Sequence, residues 1–204
     1  SGKTTALKMV NGLLFPSAGE VLVDGRATTD WEPIRLRRHI GYVIQDVGLF
    51  PHFTVARNVA LVPQLEGWAQ DKIHARAEEL LAQVGLPAAD FGRRYPRQLS
   101  GGQRQRVGVA RALAADPELL LFDEPFGALD PVTRFDAQQM FLTLRRETNK
   151  TAIFVTHDVR EALQLASRIA LLRQGRLETL TDPAGFLRER SDEAQAFLKC
   201  LGDL

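Results

Sequence analysis

At 204 residues, 45% hydrophobic and 25% charged, the chain has the composition of one globular domain with room for a subdomain and a real core. Its 26 Lys and Arg stand against 25 Asp and Glu, which leaves no electrostatic argument for nucleic acid as a partner, and a single cysteine, Cys200, excludes an internal disulfide and suits a reducing compartment. No run approaches the roughly 18 apolar residues of a membrane span, and the first residues carry no signal-peptide pattern, so work at a membrane would require docking on a partner.

The chain opens on SGKTT. Gly2-Lys3-Thr4 closes the phosphate-loop pattern G-x-x-x-x-G-K-[ST], with Ser1 as its last spacer and Thr5 behind it. Helical spacing predicts a helix from Lys3 to Leu14, stopped by Pro16 and Gly19, so the lysine opens a helix. "EVLVDG" (20–25) reads as a strand ending in an Asp24-Gly25 turn, Arg35 to His39 as solvated helix surface, and "HIGYVIQ" (39–45) as a strand that delivers Gln45 at its C-terminal end. From Asp46 to about Gln103 the pattern turns helical. Ile73, Ala77, Leu80, Leu81 and Val84 share one helix face, with Gly85 as its C-terminal cap. Strand and helix then alternate: helix Gly102 to Ala115, strand 118–123, helix Pro131 to Asn149, strand 151–156, helix Val159 to Ala166, strand 168–173. Such alternation predicts an α/β fold, a parallel sheet covered by helices and interrupted by a helical insertion. A Gln174-Gly175 turn makes a hairpin with 176–180, and two short helices near 183–189 and 192–201 close the chain. The expected division is a core of 1–45 with 104–180, a helical subdomain of 46–103, and a C-terminal helical extension of 181–204.

Three further motifs carry chemistry. "ELLLFDEP" sets four apolar residues ahead of Asp123 and Glu124, as in a buried strand that ends in two carboxylates. In a phosphate-loop protein Asp123 would hold Mg²⁺ through water opposite the Thr4 hydroxyl, and Glu124 would polarise a water against the γ-phosphate; read alone, the pair fits an acidic turn at a strand end equally well. "TAIFVTHD" ends a strand on His157, ordinarily a structural hydrogen-bonder. Ligands of open α/β sheets sit beyond the carboxyl ends of the strands, where Gln45, Asp123, Glu124 and His157 would gather. In "LSGGQRQRVGVARAL" a serine, Ser100, and two residues without side chains, Gly101 and Gly102, precede a helix whose Val107, Val109, Ala110 and Leu113 face inward. That is a helix cap and also an anion site. One phosphate loop already supplies such a site, so a second suggests two chains sharing each nucleotide.

"LSGGQ" ahead of "LLLFDEP", "ALD" (128–130) and "THD", in that order over nearly the whole chain, resembles the nucleotide-binding subunit of ABC transporters. The resemblance implies a RecA-like P-loop NTPase that uses ATP and Mg²⁺. By this resemblance Ser1, Gly2, Lys3, Thr4 and Thr5 would bind phosphate, and Thr4, Gln45 and Asp123 would serve the metal. Glu124 would be the catalytic base, Gln45 would also contact the attacking water, and His157 would be the switch on the γ-phosphate. Asp130 would contact the second ATPase subunit of a head-to-tail dimer, whose ATP would be covered by Ser100, Gly101, Gly102 and Gln103. The dimer would sit peripherally on the cytoplasmic face of the inner membrane, bound to integral-membrane permease subunits and, through them, to a substrate-binding protein.

"DEPFGALDPVTR" and "LFPHFTV" look like importer subunits, and the run from Ile40 to Trp68 is similar to importers of osmoprotectants and quaternary amines such as glycine betaine and choline. The family sets two or three strands, an adenine-stacking aromatic residue and the first loop glycine ahead of the position of Ser1. The expectation is therefore a partial sequence, severed inside the phosphate loop and inactive alone. A non-catalytic remnant and an importer ATPase for another small solute remain as alternatives. A DNA-associated ABC ATPase is disfavoured by the short insertion after Gln45 and the neutral charge balance.

Overall fold

A computed structural model describes residues 1–148 and 150–199. Cys200, the last residues of the helix expected over 192–201, and Asn149 at the end of another lie outside the described residues.

Helix α1 (Lys3–Val10) is shorter than its apolar pattern. Gly12 takes a φ of 64°, and the N–H groups of Leu13 and Leu14 both return to the Lys8 carbonyl, so the chain leaves the helix four residues before Leu14. The expected strand at 20–25 is a two-residue ladder, β1 (Leu22–Val23), paired with β2 (Arg26–Ala27) across Asp24-Gly25. Both turn residues have positive φ, as a two-residue hairpin requires. Helix α2 (Pro33–His39) carries the basic run and starts on Glu32, whose carboxylate accepts the N–H groups of Ile34 and Arg35.

Strand β3 (Ile40–Val43) runs straight out of α2. It stops two residues before Gln45, which stands in a turn rather than on the strand. Next come α3 (Val55–Leu65), α4 (Gln70–Gln83), α5 (Ala88–Phe91) and a 3₁₀ turn (Pro96–Gln98), the helical insertion expected from the pattern. Ile73, Ala77, Leu80, Leu81 and Val84 are all buried, as their spacing requires. Helix α6 begins at Gly101, one residue earlier than expected, and ends at Leu113.

Strands β4 (Leu119–Asp123) and β5 (Thr151–Val155) then form a parallel sheet with β3 in the order β3-β4-β5, with α7 (Pro131–Glu147) between them in sequence. The register sets Val43 beside Phe122 and Asp123 beside Val155, so the three strands end at one edge. Helix α7 ends before Asn149 because Thr148 turns to extended backbone. Helix α8 (Val159–Leu165) leads to β6 (Ile169–Arg173), which does not join the parallel sheet among the described residues. Instead it pairs antiparallel with β7 (Arg176–Thr181) across Gln174-Gly175, the expected hairpin. An apolar cavity of about 790 Å³ lies between β5 and β6, walled by Leu7, Ile153, Ile169, Leu171 and Phe186. Short α9 (Pro183–Phe186) and α10 (Asp192–Lys199) follow.

Burial explains why the inserted helices stay with the sheet. Val55 and Val59 of α3, Leu80 and Leu81 of α4, Val107 and Ala110 of α6, Phe122 of β4 and Phe141 of α7 belong to one continuous apolar cluster. Gly41 lets β3 approach α6 closely, since a Cβ there would strike the Ala112 carbonyl, and Gly108 of α6 makes room for the Val47 side chain in the loop beyond β3. Leu7 of α1 packs separately, with Val23, Leu36, Ile40, Leu121 and Val155, which presses α1 onto the ends of β4 and β5.

Candidate active site

The sheet edge brings four of the expected side chains into two pairs. Helix α1 starts on Gly2, at φ 90° and without a side-chain cap, so its first-turn N–H groups keep their donors. Lys3 Nζ reaches back to Ser1 Oγ at 3.0 Å. At the next residue, the half-buried Thr4 hydroxyl donates to Asp123 Oδ1 at 3.0 Å, although the two lie 119 positions apart. Thr5 is exposed.

Glu124 follows Asp123 with a φ of 47°, a left-handed backbone uncommon for a residue with a side chain. Its N–H still continues the ladder to the Val155 carbonyl at 2.9 Å. The reversal aims its carboxylate at His157, whose Nδ1–H donates to Oε2 at 3.0 Å. His157 is 66% exposed and Glu124 26%, so the pair lines an open edge and not the core.

Thr4 and Asp123 present only hard oxygen donors, and no group of three or more His, Cys, Asp or Glu side chains able to hold a metal occurs among the described residues. Two oxygen ligands fit Mg²⁺, which keeps several waters and takes further oxygens from substrate phosphates.

Gln45 lies at the same edge, exposed in its turn. The loop behind it is held by a residue that sequence reasoning did not single out: Arg111 of α6 donates to the carbonyls of Val47 at 2.6 Å and Gly48 at 2.7 Å. Val47 has a φ of 56°, rare for a β-branched residue, and the clamp supports that conformation. Burial lowers the Arg111 guanidinium below its ordinary range. Tyr42 of β3 was likewise missed; burial first, and then the adjacent Asp123 carboxylate, raises its phenol. Nothing in the spacing marked either residue, because their partners are a backbone turn and a side chain on a neighbouring strand.

The LSGGQ segment stands apart, with no hydrogen bond to Thr4, Asp123, Glu124 or His157 among the described residues. Ser100 caps α6: its Oγ accepts the Gln103 N–H at 3.2 Å, and Gln103 Oε1 accepts the Ser100 N–H at 2.9 Å. Gly101 is exposed, and a Cβ there would make only ordinary contact with Arg104 and Leu129, but Gly102 is buried against Thr133 of α7. The two glycines therefore differ: Gly101 faces outward, and Gly102 admits a helix. Asp130 is exposed and caps α7, accepting the Thr133 N–H at 3.1 Å; the Thr133 hydroxyl and N–H hold its carboxyl below the usual range.

This arrangement has known counterparts. The chain is 50% identical over 192 residues to the osmoprotectant import ATP-binding protein OsmV of Salmonella typhimurium and, to the same degree, to the choline transport ATP-binding protein OpuBA of Bacillus subtilis. Each match takes in 94% of this chain and 50% of the relative, so the chain spans about half the length of the curated relatives it matches. Among solved structures, the ATP-binding cassette MJ0796, a dimer in a post-hydrolysis state bound to ADP and Pi, superposes with a TM-score of 0.78 at 36% identity over 89% of this chain and 81% of that one. This likeness assigns the fold to the P-loop NTPases. The family model described as ABC transporter matches residues 1–127, through the end of β4 and past it, and the chain belongs to the ABC transporter family.

Proposed function

We propose that this chain is the ATP-binding and ATP-hydrolysing part of an importer for osmoprotectants of the quaternary-amine class, with glycine betaine and choline as representative cargo. The observation that carries the reading is the pairing of Glu124 with His157 beside the pairing of Thr4 with Asp123, all at the carboxyl ends of parallel strands. The relatives' names, osmoprotectant import and choline transport, supply the cargo class.

In this reading the N–H groups of α1 and the Lys3 ammonium hold the phosphates. Thr4 and Asp123 would hold Mg²⁺, with Gln45 reaching it and the attacking water; when bound, the ion neutralises phosphate charge. Glu124 accepts the water's proton on the oxygen that His157 leaves unoccupied, and His157 fixes the carboxylate's orientation. Ser100, Gly101, Gly102 and Gln103 of one copy cover the ATP of another in a head-to-tail dimer, with Ser100 and Gly101 exposed at the start of α6. Asp130 meets the second copy from the start of α7. Residues 46–103 form the helical subdomain and 181–204 the extension. No helix among the described residues is long and apolar enough to cross a membrane. The permease subunits provide that crossing, the ATPase binds their cytoplasmic side, and a substrate-binding protein delivers cargo to them.

The test is ATP hydrolysis by the full-length protein reconstituted with its permease and challenged with a panel of quaternary amines. Glu124→Gln is expected to keep ATP binding and to lower stimulated hydrolysis by about 10²-fold or more, because an amide cannot accept the water's proton. Turnover within a few fold of wild type removes Glu124 from this role, and no stimulation by any quaternary amine overturns the cargo class.

A further inference from the structure

Glu161 is a buried carboxylate that this mechanism does not use. It sits on α8, four residues beyond His157, and is 5% exposed. Its Oε2 accepts the Thr156 hydroxyl at 2.6 Å, and its Oε1 accepts the side-chain amide of Gln138 at 3.2 Å. Having donated to Glu161, the Thr156 hydroxyl accepts the Asp158 N–H at 2.9 Å. The residues on both sides of His157 are therefore joined through one hydroxyl, whose direction Glu161 sets. Gln138 is itself buried, on the helix that Asp130 caps.

A buried carboxylate is costly to desolvate, and an apolar side chain of the same size often serves packing as well or better. Packing alone therefore gives no reason for a carboxylate here. Its two hydrogen bonds do: one runs to the His157 turn, the other to α7. We infer that Glu161 is a positioning residue, which holds the His157 turn against Glu124 through Thr156 and ties that turn to α7 through Gln138. The inference rests on the ATPase reading above, because the bond it protects is the one between His157 and Glu124.

The experiment is a double-mutant cycle in the full-length protein, read by steady-state hydrolysis and by the His157 imidazole resonances in carbon-edited NMR. Glu161→Ala is expected to lower kcat by roughly 10²-fold while the KM for ATP stays within about threefold, since a small misplacement costs turnover more than binding. In a His157→Ala background the same substitution is expected to change the residual rate by less than about twofold, because residues acting through one another are not additive. A purely structural loss would add in full. Glu161→Gln is expected to restore kcat to within about threefold, since the new amide can accept from Thr156 and donate to a rotated Gln138 amide. The His157 resonances are expected to move in Glu161→Ala, while those of His39, His52 and His74 stay in place. Should Glu161→Ala not fold, Thr156→Val against Thr156→Ser removes and keeps the same hydroxyl with little change of volume. Additive losses, or unmoved His157 resonances, overturn the positioning role. Absence of hydrolysis in the unsubstituted protein overturns the ATPase reading, and the His157 resonances then still decide whether Glu161 holds the turn.

Discussion

At Gly102 a single absent side chain sets how two helices meet. A Cβ there would overlap Thr133 Cγ2, and Thr133 cannot simply rotate away, because its hydroxyl and N–H are both engaged by Asp130. Gly102→Ala is expected to destabilise the protein by about 1 to 3 kcal/mol, the range for forcing extra carbon into a packed contact. Thr133→Ser, which removes the methyl and keeps the hydroxyl, is expected to recover most of that loss in the double variant. Denaturant midpoints check both, and equal midpoints for wild type and Gly102→Ala would show that the contact is loose. The sequence offered Gly102 as a place for phosphate to approach, because a glycine beside a serine at a helix start has that meaning locally. Its neighbour from α7, 31 positions along the chain, gives it another. Asp123, Glu124 and His157 were legible for the opposite reason: each ends an apolar run, so strand direction alone carries it to the common edge. Glu161 and Arg111 were not, because buried polar residues are identified by their partners and not by their spacing.

Elements whose ends carry their own chemistry were read most closely. Helix α4 finishes in a motif local enough to be seen in sequence: Gly85 at φ 71° donates to the Ala82 carbonyl, and Leu86 donates to the Leu81 carbonyl. Gly85→Ala is expected to cost about 1 to 2 kcal/mol, the price of a Cβ in the left-handed region, and to lower the urea midpoint without changing the slope. An unchanged midpoint would mean that the turn relaxes into another conformation. Elements without such punctuation were misjudged at their ends. The apolar residues Leu13 and Leu14 continue the pattern of α1, but Gly12 has already reversed the backbone. The strand expected at 20–25 has the apolar run Val21-Leu22-Val23, yet only Leu22 and Val23 find a ladder partner in β2. Strand propensity is realised only where a neighbour supplies hydrogen bonds.

Over the whole molecule, three hydrogen-bonded carboxylates shape the response to acid. Glu32 is held below its ordinary value of 4.5 by the N–H groups of Ile34 and Arg35, Asp130 below its value of 3.8 by Thr133, and Glu189 below 4.5 by the Thr179 hydroxyl and the N–H groups of Arg190 and Ser191. A depressed folded value contributes stability above the unfolded value and loses it as pH falls through the folded one. Lys150 has the opposite sign. Burial pulls it down, but Glu118 and Asp116 outweigh that and raise it above 10.5, so its contribution is present below that pH and is lost above it. Tm is expected to be level between about pH 6 and 9, to fall below about pH 4.5, and to fall again above about pH 10.5. Glu32→Gln is expected to flatten the acid limb, and an acid limb as steep as wild type would show that Glu32 takes no part in it. By itself the sequence determined the family, the order of strands and helices and the identity of the edge residues, because apolar periodicity and short motifs are properties of neighbouring positions. Tertiary structure alone decided that Thr4 meets Asp123, that β6 stays outside the parallel sheet among the described residues, that Gly102 admits α7, and that Glu161 holds the His157 turn. Those facts depend on which distant surfaces share a core, and pairing between segments more than a hundred residues apart leaves no local period to read.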